Sequence, residues 1–147
     1  MLLLVEKSSR LMLLTIGNIL DSMVFWEGLV PTPDVIDAGH RNGVPVYGTL
    51  FFNWSNSIAD QEKFAEALKQ DPDGSFPIAR KLVDMAKYYG YDGYFINQET
   101  TGDLVEPLGE KMRQFMLYTK ARGGILSPTS LFLITKLVDP NRLMFLR

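Results

Sequence analysis

The 147-residue sequence has no cysteine and a single histidine, His40. Disulfides, thiolate catalysis and zinc ligation through sulfur are excluded, and one imidazole cannot build a histidine-based metal site. Charge of one sign is also missing. A net charge of −2 with 22% charged residues gives no electrostatic case for nucleic acid or an anionic membrane surface. No stretch reaches the ~18–20 apolar residues that would span a bilayer. The apolar start, Met1–Val5, is broken at once by Glu6, Lys7 and Arg10. The run from Leu11 to Leu20 contains Gly17 and Asn18 and offers no convincing small-residue cleavage site, so no signal peptide is read. The lack of cysteine leaves the compartment open, and cytoplasmic and extracellular locations fit equally. There is no internal repeat or low-complexity segment, and the residues carry no signal for an oligomeric state.

What is present is an ordinary globular composition, 46% hydrophobic. Three strand candidates, about Met23–Trp26, Val44–Phe52 and Tyr94–Asn97, are separated by helical patterns. Thr32-Pro33-Asp34 reads as an N-cap, an N1 proline and a first-turn acid, and Asn42-Gly43 ends that helix. A short helix spans about Ala59 to Gln70, with Phe64 and Leu68 four apart, and Asp71-Pro72-Asp73-Gly74 is a turn. Ser75 is expected to cap the next helix, whose apolar face is read as Ile78, Leu82, Met85 and Tyr89, with Gly90 as its stop. Leu104, Leu108, Met112 and Phe115 mark a fourth helix ending near Lys120.

Strand alternating with helix implies parallel strands. A doubly wound sheet would close within this length, but no G-x-G-x-x-G or phosphate loop follows any strand, and nothing calls for a cofactor. A (β/α)₈ barrel places chemistry at the C-terminal ends of its strands, where Trp26, Asn53, Trp54, Asn97 and Glu99 all fall. Such barrels need ~250 residues. The expected fold is therefore α/β, a partial (β/α)₈ TIM barrel of about three strand–helix units.

The densest chemical signal is Gly90-Tyr91-Asp92-Gly93-Tyr94-Phe95-Ile96-Asn97-Gln98-Glu99-Thr100. Strand side chains alternate with period two, so Asn97 and Glu99 share a face and Gln98 points the other way. A carboxyl beside a carboxamide suits general acid/base work next to an amide-bearing substrate. A general acid works well in an apolar surround, which Phe95 and neighbouring strands would supply. The bland reading is a strand fraying into a polar loop, with Glu99 capping the next helix. No second acid is expected at this strand end, because Asp92 lies at the opposite one. His40, near a helix C-terminus, is read as structural.

This string resembles the catalytic strand of the endo-β-N-acetylglucosaminidases of glycoside hydrolase family 85. Val35 to Thr49 is similar to that family's preceding helix and strand, and Asp21-Ser22-Met23-Val24-Phe25-Trp26 to the strand before it. The resemblance covers about residues 21–120, read as part of the catalytic domain. Residues 1–20 are atypical of it. In the family, a strand with a Trp-Tyr-Asp-type motif follows the helix ending near Lys120. Here Arg122 to Pro128 takes its place, and 121–147 has no match. The pattern is that of a truncated or frame-shifted fragment, expected to be inactive by itself.

The resemblance implies hydrolysis of the N,N'-diacetylchitobiose core of N-linked glycans, with a glycan or glycoprotein as substrate and no metal. Glu99 would be the general acid/base. Asn97 would orient the substrate's own 2-acetamido group, which forms an oxazoline, an exception to the two-carboxylate rule. Trp26 resembles a family aromatic that stacks on sugar, and Asn53 and Trp54, by their place after the Thr49-Leu50-Phe51-Phe52 strand, would line the same mouth. Chitinases of family 18 have aspartates where this chain has Phe95 and Asn97, which argues against a chitinase-like hydrolase. A non-catalytic glycan-binding remnant and a small doubly wound nucleotide-binding or regulatory domain compete with these enzyme readings.

Overall fold

A computed structural model describes residues 20–123 in full and, outside them, the backbone of three short strands. Residues 11–19 of the second apolar run, and 124–128 of the divergent tail, lie outside the described residues. In chain order the elements are β1 (Leu2–Val5), β2 (Ser22–Phe25), α1 (Pro33–Arg41), β3 (Val46–Ser55), α2 (Ile58–Ala67), α3 (Pro77–Tyr89), β4 (Gly93–Thr100), a 3₁₀ turn (Glu106–Leu108), α4 (Gly109–Gly123), β5 (Phe132–Ile134) and β6 (Met144–Leu146).

The strands form one sheet in the order β1-β2-β3-β4-β5-β6. Each pair is parallel except β5 with β6. A doubly wound sheet reverses its order at a switch point, whereas a barrel wall adds strands in sequence. Sequential parallel order from β1 to β5, with helices between β2, β3 and β4, makes this a partial (β/α)₈ barrel.

Register defines the two faces. Val24 lies opposite Tyr47, Tyr47 opposite Gly93, Thr49 opposite Phe95 and Phe51 opposite Asn97. Period two then puts Met23, Phe25, Val46, Tyr94 and Ile96 on the outer face, where they pack with Val35, Phe64, Leu82, Met112 and Phe115 from the helices. On the inner face Val24, Tyr47 and Phe95 form a separate small cluster. Gly93 suits that layer, since a Cβ there would lie 3.4 Å from the Tyr47 ring. Gly48 is required by a closer approach, because a Cβ would stand 2.0 Å from the Leu29 carbonyl oxygen. That loop returns to the sheet through Thr49 N–H donating to Gly28 O at 2.9 Å.

Local signals are mostly obeyed. Pro33 opens α1, Gly43 follows it at φ +69°, and Gly90 caps α3 at φ +79°. Thr32 occupies the N-cap of α1 without a side-chain bond. Three helix readings need correction. Phe76, not Ser75, is the N-cap of α3, because the Ser75 hydroxyl accepts from Arg80 Nη1 at 2.7 Å and donates to Asp71. The buried face of α3 is Ala79, Leu82, Val83 and Ala86. The i, i+3, i+4, i+7 rule holds, but the buried stripe runs through Ala79 and Ala86 and leaves Tyr89 exposed. Leu104 likewise precedes α4 and is exposed, while Val105 is buried in its place.

Candidate active site

β4 continues past its expected end and carries Asn97 and Glu99 inside the strand. Both face inward, and Asn97 Nδ2 donates to Glu99 Oε1 at 3.2 Å. Asn97 is only 2% exposed, whereas Glu99 is half-buried at the mouth. A carboxamide both donates and accepts hydrogen bonds. Gln98 points outward as expected. Its carboxamide closes on its own strand, accepting from Thr100 N–H at 2.6 Å and donating to Thr100 O at 2.9 Å. That local ring stiffens the backbone around Glu99.

Aromatic rings border the pair. Trp26, immediately after β2 and 39% exposed, packs tilted on Phe95 at 5.9 Å and on Phe51 at 6.5 Å between ring centroids. Phe51 stands opposite Asn97 in the ladder and is 52% exposed. No motif singles out Phe51 in the sequence, although counting by twos from Tyr47 through Thr49 places it on the inner face. Thr49 holds the base of this arrangement, its hydroxyl donating to Phe25 O at 2.7 Å.

Asn53 and Trp54 do not follow β3, as the sequence suggests, but lie within it, since the strand runs to Ser55. A bulge falls there: three steps on β3 from Phe52 to Ser55 match two on β4 from Gln98 to Thr100. Asn53 joins the site through its backbone, its carbonyl accepting from Thr100 Oγ1 at 2.9 Å. Trp54 is 79% exposed at the rim. Just beyond, Ser57 caps α2 by accepting from Asp60 N–H. The Asp60 carboxyl is held well below the usual range, chiefly by its hydrogen bond with Lys63 and then by Ser55 and Ser57.

The opposite strand end holds a different cluster. His40 Nε2 lies 2.7 Å from Asp92 Oδ2, which also accepts from Val46 N–H at 2.8 Å. These contacts tie α1 to the starts of β3 and β4, away from Glu99, and give His40 a structural task. Among the described residues, no helix is long and apolar enough to cross a membrane.

Comparison with known proteins follows the same lines. Residues 7–133 match glycosyl hydrolase family 85. The chain is 42% identical over 64 residues to the cytosolic endo-beta-N-acetylglucosaminidase of Gallus gallus, covering 43% of this chain and 8% of that protein. It is 28% identical over 91 residues to cytosolic endo-beta-N-acetylglucosaminidase 2 of Arabidopsis thaliana, covering 62% of this chain and 12% of that protein. The crystal structure of the glycoside hydrolase domain of Endo-D from Streptococcus pneumoniae R6 superposes with a TM-score of 0.74 at 82% identity, over 80% of this chain and 18% of that one. The Bacillus cereus spore cortex-lytic enzyme SleL shares the fold alone, with a TM-score of 0.63 at 13% identity over 90% of this chain and 33% of that one. The chain thus spans only a small share of each curated relative.

Proposed function

The chain belongs to glycosyl hydrolase family 85, and from that premise we propose that it is the acid/base-bearing part of an endo-β-N-acetylglucosaminidase. The substrate is the N,N'-diacetylchitobiose core of an N-linked glycan, and one N-acetylglucosamine stays on the protein. The observation that carries the reading is the inward pair at the end of β4, in which the acid's neighbour is a carboxamide. In substrate-assisted hydrolysis the acetamide oxygen of the substrate attacks the anomeric carbon while Glu99 protonates the departing oxygen. Water then opens the oxazoline, giving its proton back to Glu99. Asn97 is suited to orient the acetamide as the oxazoline forms, because it donates and accepts. Trp26, Phe51 and Trp54 offer aromatic surface for sugar rings, and Asn53 a polar edge.

The test uses the Endo-D glycoside hydrolase domain carrying residues 20–123 of this chain in place of its matching segment. Glu99→Gln in that chimera is expected to reduce release of glycan from a model glycoprotein by ~10²–10⁴-fold. Retention of more than about a tenth of the activity would overturn the assignment.

A further inference from the structure

Gln61 lies in the first turn of α2, outside the inner face, yet it is 4% exposed and fully engaged at the site's back. Its Nε2 donates to Asn56 O at 2.8 Å, and its Oε1 accepts from Leu104 N–H at 3.0 Å. Both partners are backbone groups, one on the exit of β3 and the other on the exit of β4. Two further bonds join the same exits: Thr100 Oγ1 to Asn53 O and Thr101 N–H to Ser55 O, each 2.9 Å. The segment closes so tightly on the carboxamide that a Cβ at Gly102, where φ is +127°, would stand 2.4 Å from Gln61 Nε2. Glu99 sits immediately before this fastened stretch.

We propose that Gln61 is a positioning residue for the reaction: its carboxamide staples the exits of β3 and β4 and so fixes where the Glu99 carboxylate stands. This rests on the acid/base role proposed above for Glu99. A buried carboxamide bonded at both ends is a rigid spacer, and losing one partner strands the other without water. Misplacing a reacting group by ~1 Å costs about 10²-fold in rate, so a distant staple has kinetic leverage without touching substrate. Because Asn97 is anchored farther back in β4, the staple acts on Glu99. Hence it should affect both oxazoline formation and oxazoline opening.

The experiment compares Gln61→Leu with the unsubstituted chimera on a native glycopeptide and on a preformed sugar oxazoline. Thr100→Val, which removes one neighbouring tie at nearly constant volume, serves as the second variant should Gln61→Leu fail to fold. The expected result for Gln61→Leu is a kcat lower by roughly 10- to 100-fold on both substrates. KM should stay within about twofold, and a thiazoline analogue of the oxazoline should still bind at one per molecule. Thr100→Val should shift the same parameters in the same direction by a few-fold. Unchanged kcat overturns the inference, as does loss on the native glycopeptide alone, which would place the effect on Asn97. Loss matched by a proportional fall in analogue stoichiometry also overturns it, since that marks a merely structural role. If Glu99→Gln is active, the assignment of the acid fails. If Glu99→Gln is dead and Gln61→Leu is normal, only the staple fails.

Discussion

The two faces of this sheet follow different rules. The outer face is continuous with the helices: Met23, Phe25, Val46, Tyr94 and Ile96 meet Leu82, Met112 and Phe115 in one large apolar cluster. The inner face is apolar only at its base, where Val24, Tyr47 and Phe95 meet, and becomes aromatic and polar toward the strand ends. Neighbouring residues of one strand therefore face different surroundings. Ile96 and Asn97 are both buried, but substitution at 96 should change stability and substitution at 97 should change chemistry. Adjacent positions separate the two roles by side-chain direction alone.

The strongest way to break this contrast is Glu99→Gln, whose expected ~10²–10⁴-fold loss should come with little change in unfolding midpoint. A large fall in stability would mean that the inner face also supports the fold.

Asn97→Ala sharpens it next. Oxazoline formation should slow far more than turnover of a preformed oxazoline, because the preformed substrate has passed the step that Asn97 assists. Both rates measured on one purified preparation decide the matter, and equal losses would remove Asn97 from the acetamide.

On the outer face, Ile96→Ala should lower stability by about 2–5 kcal/mol, the usual range for emptying a packed core site. Activity per folded molecule should be retained. Denaturant melts and active-site titration measure the two quantities separately.

The smallest effect concerns Tyr91 and Tyr94. The Tyr94 hydroxyl donates to Leu82 O at 2.9 Å, so the Tyr91 hydroxyl must donate to Tyr94. Burial pushes Tyr91 up to about 12 and Tyr94 upward as well. Both folded-state values lie above the unfolded value of about 10, so this stability is complete below pH 10. It falls as pH rises from there through 12, because the unfolded chain ionises first. Tyr91→Phe should cost about 1 kcal/mol at neutral pH and flatten this alkaline loss, as pH-dependent melts would show.

The contrast explains which parts of the protein can be read from its residues. Asn97 and Glu99 are legible because period two needs no knowledge of distant neighbours. Gly90, Pro33 and the turn at Asp71–Gly74 are legible because backbone constraints are local. The face of α3 is misread from sequence because Ala79 and Ala86 look neutral beside Ile78, Met85 and Tyr89, and only packing decides which stripe is buried. Gln61 sends no signal, since one partner lies 43 residues away and both are backbone groups. The sequence places Asn53 and Trp54 after β3 because nothing in Asn-Trp-Ser announces that the strand continues through a bulge.

That bulge turns chain length into chemistry. Phe52 pairs with Gln98 and Ser55 with Thr100, so β3 holds one residue more than its partner requires. Excising Asn53 would restore an even ladder, with Trp54 directly across from Glu99 and its indole swung from the rim over the acid. A single-codon deletion could thus occlude the mouth without altering any side chain that remains. Alignments in this segment should therefore weigh gaps as heavily as replacements.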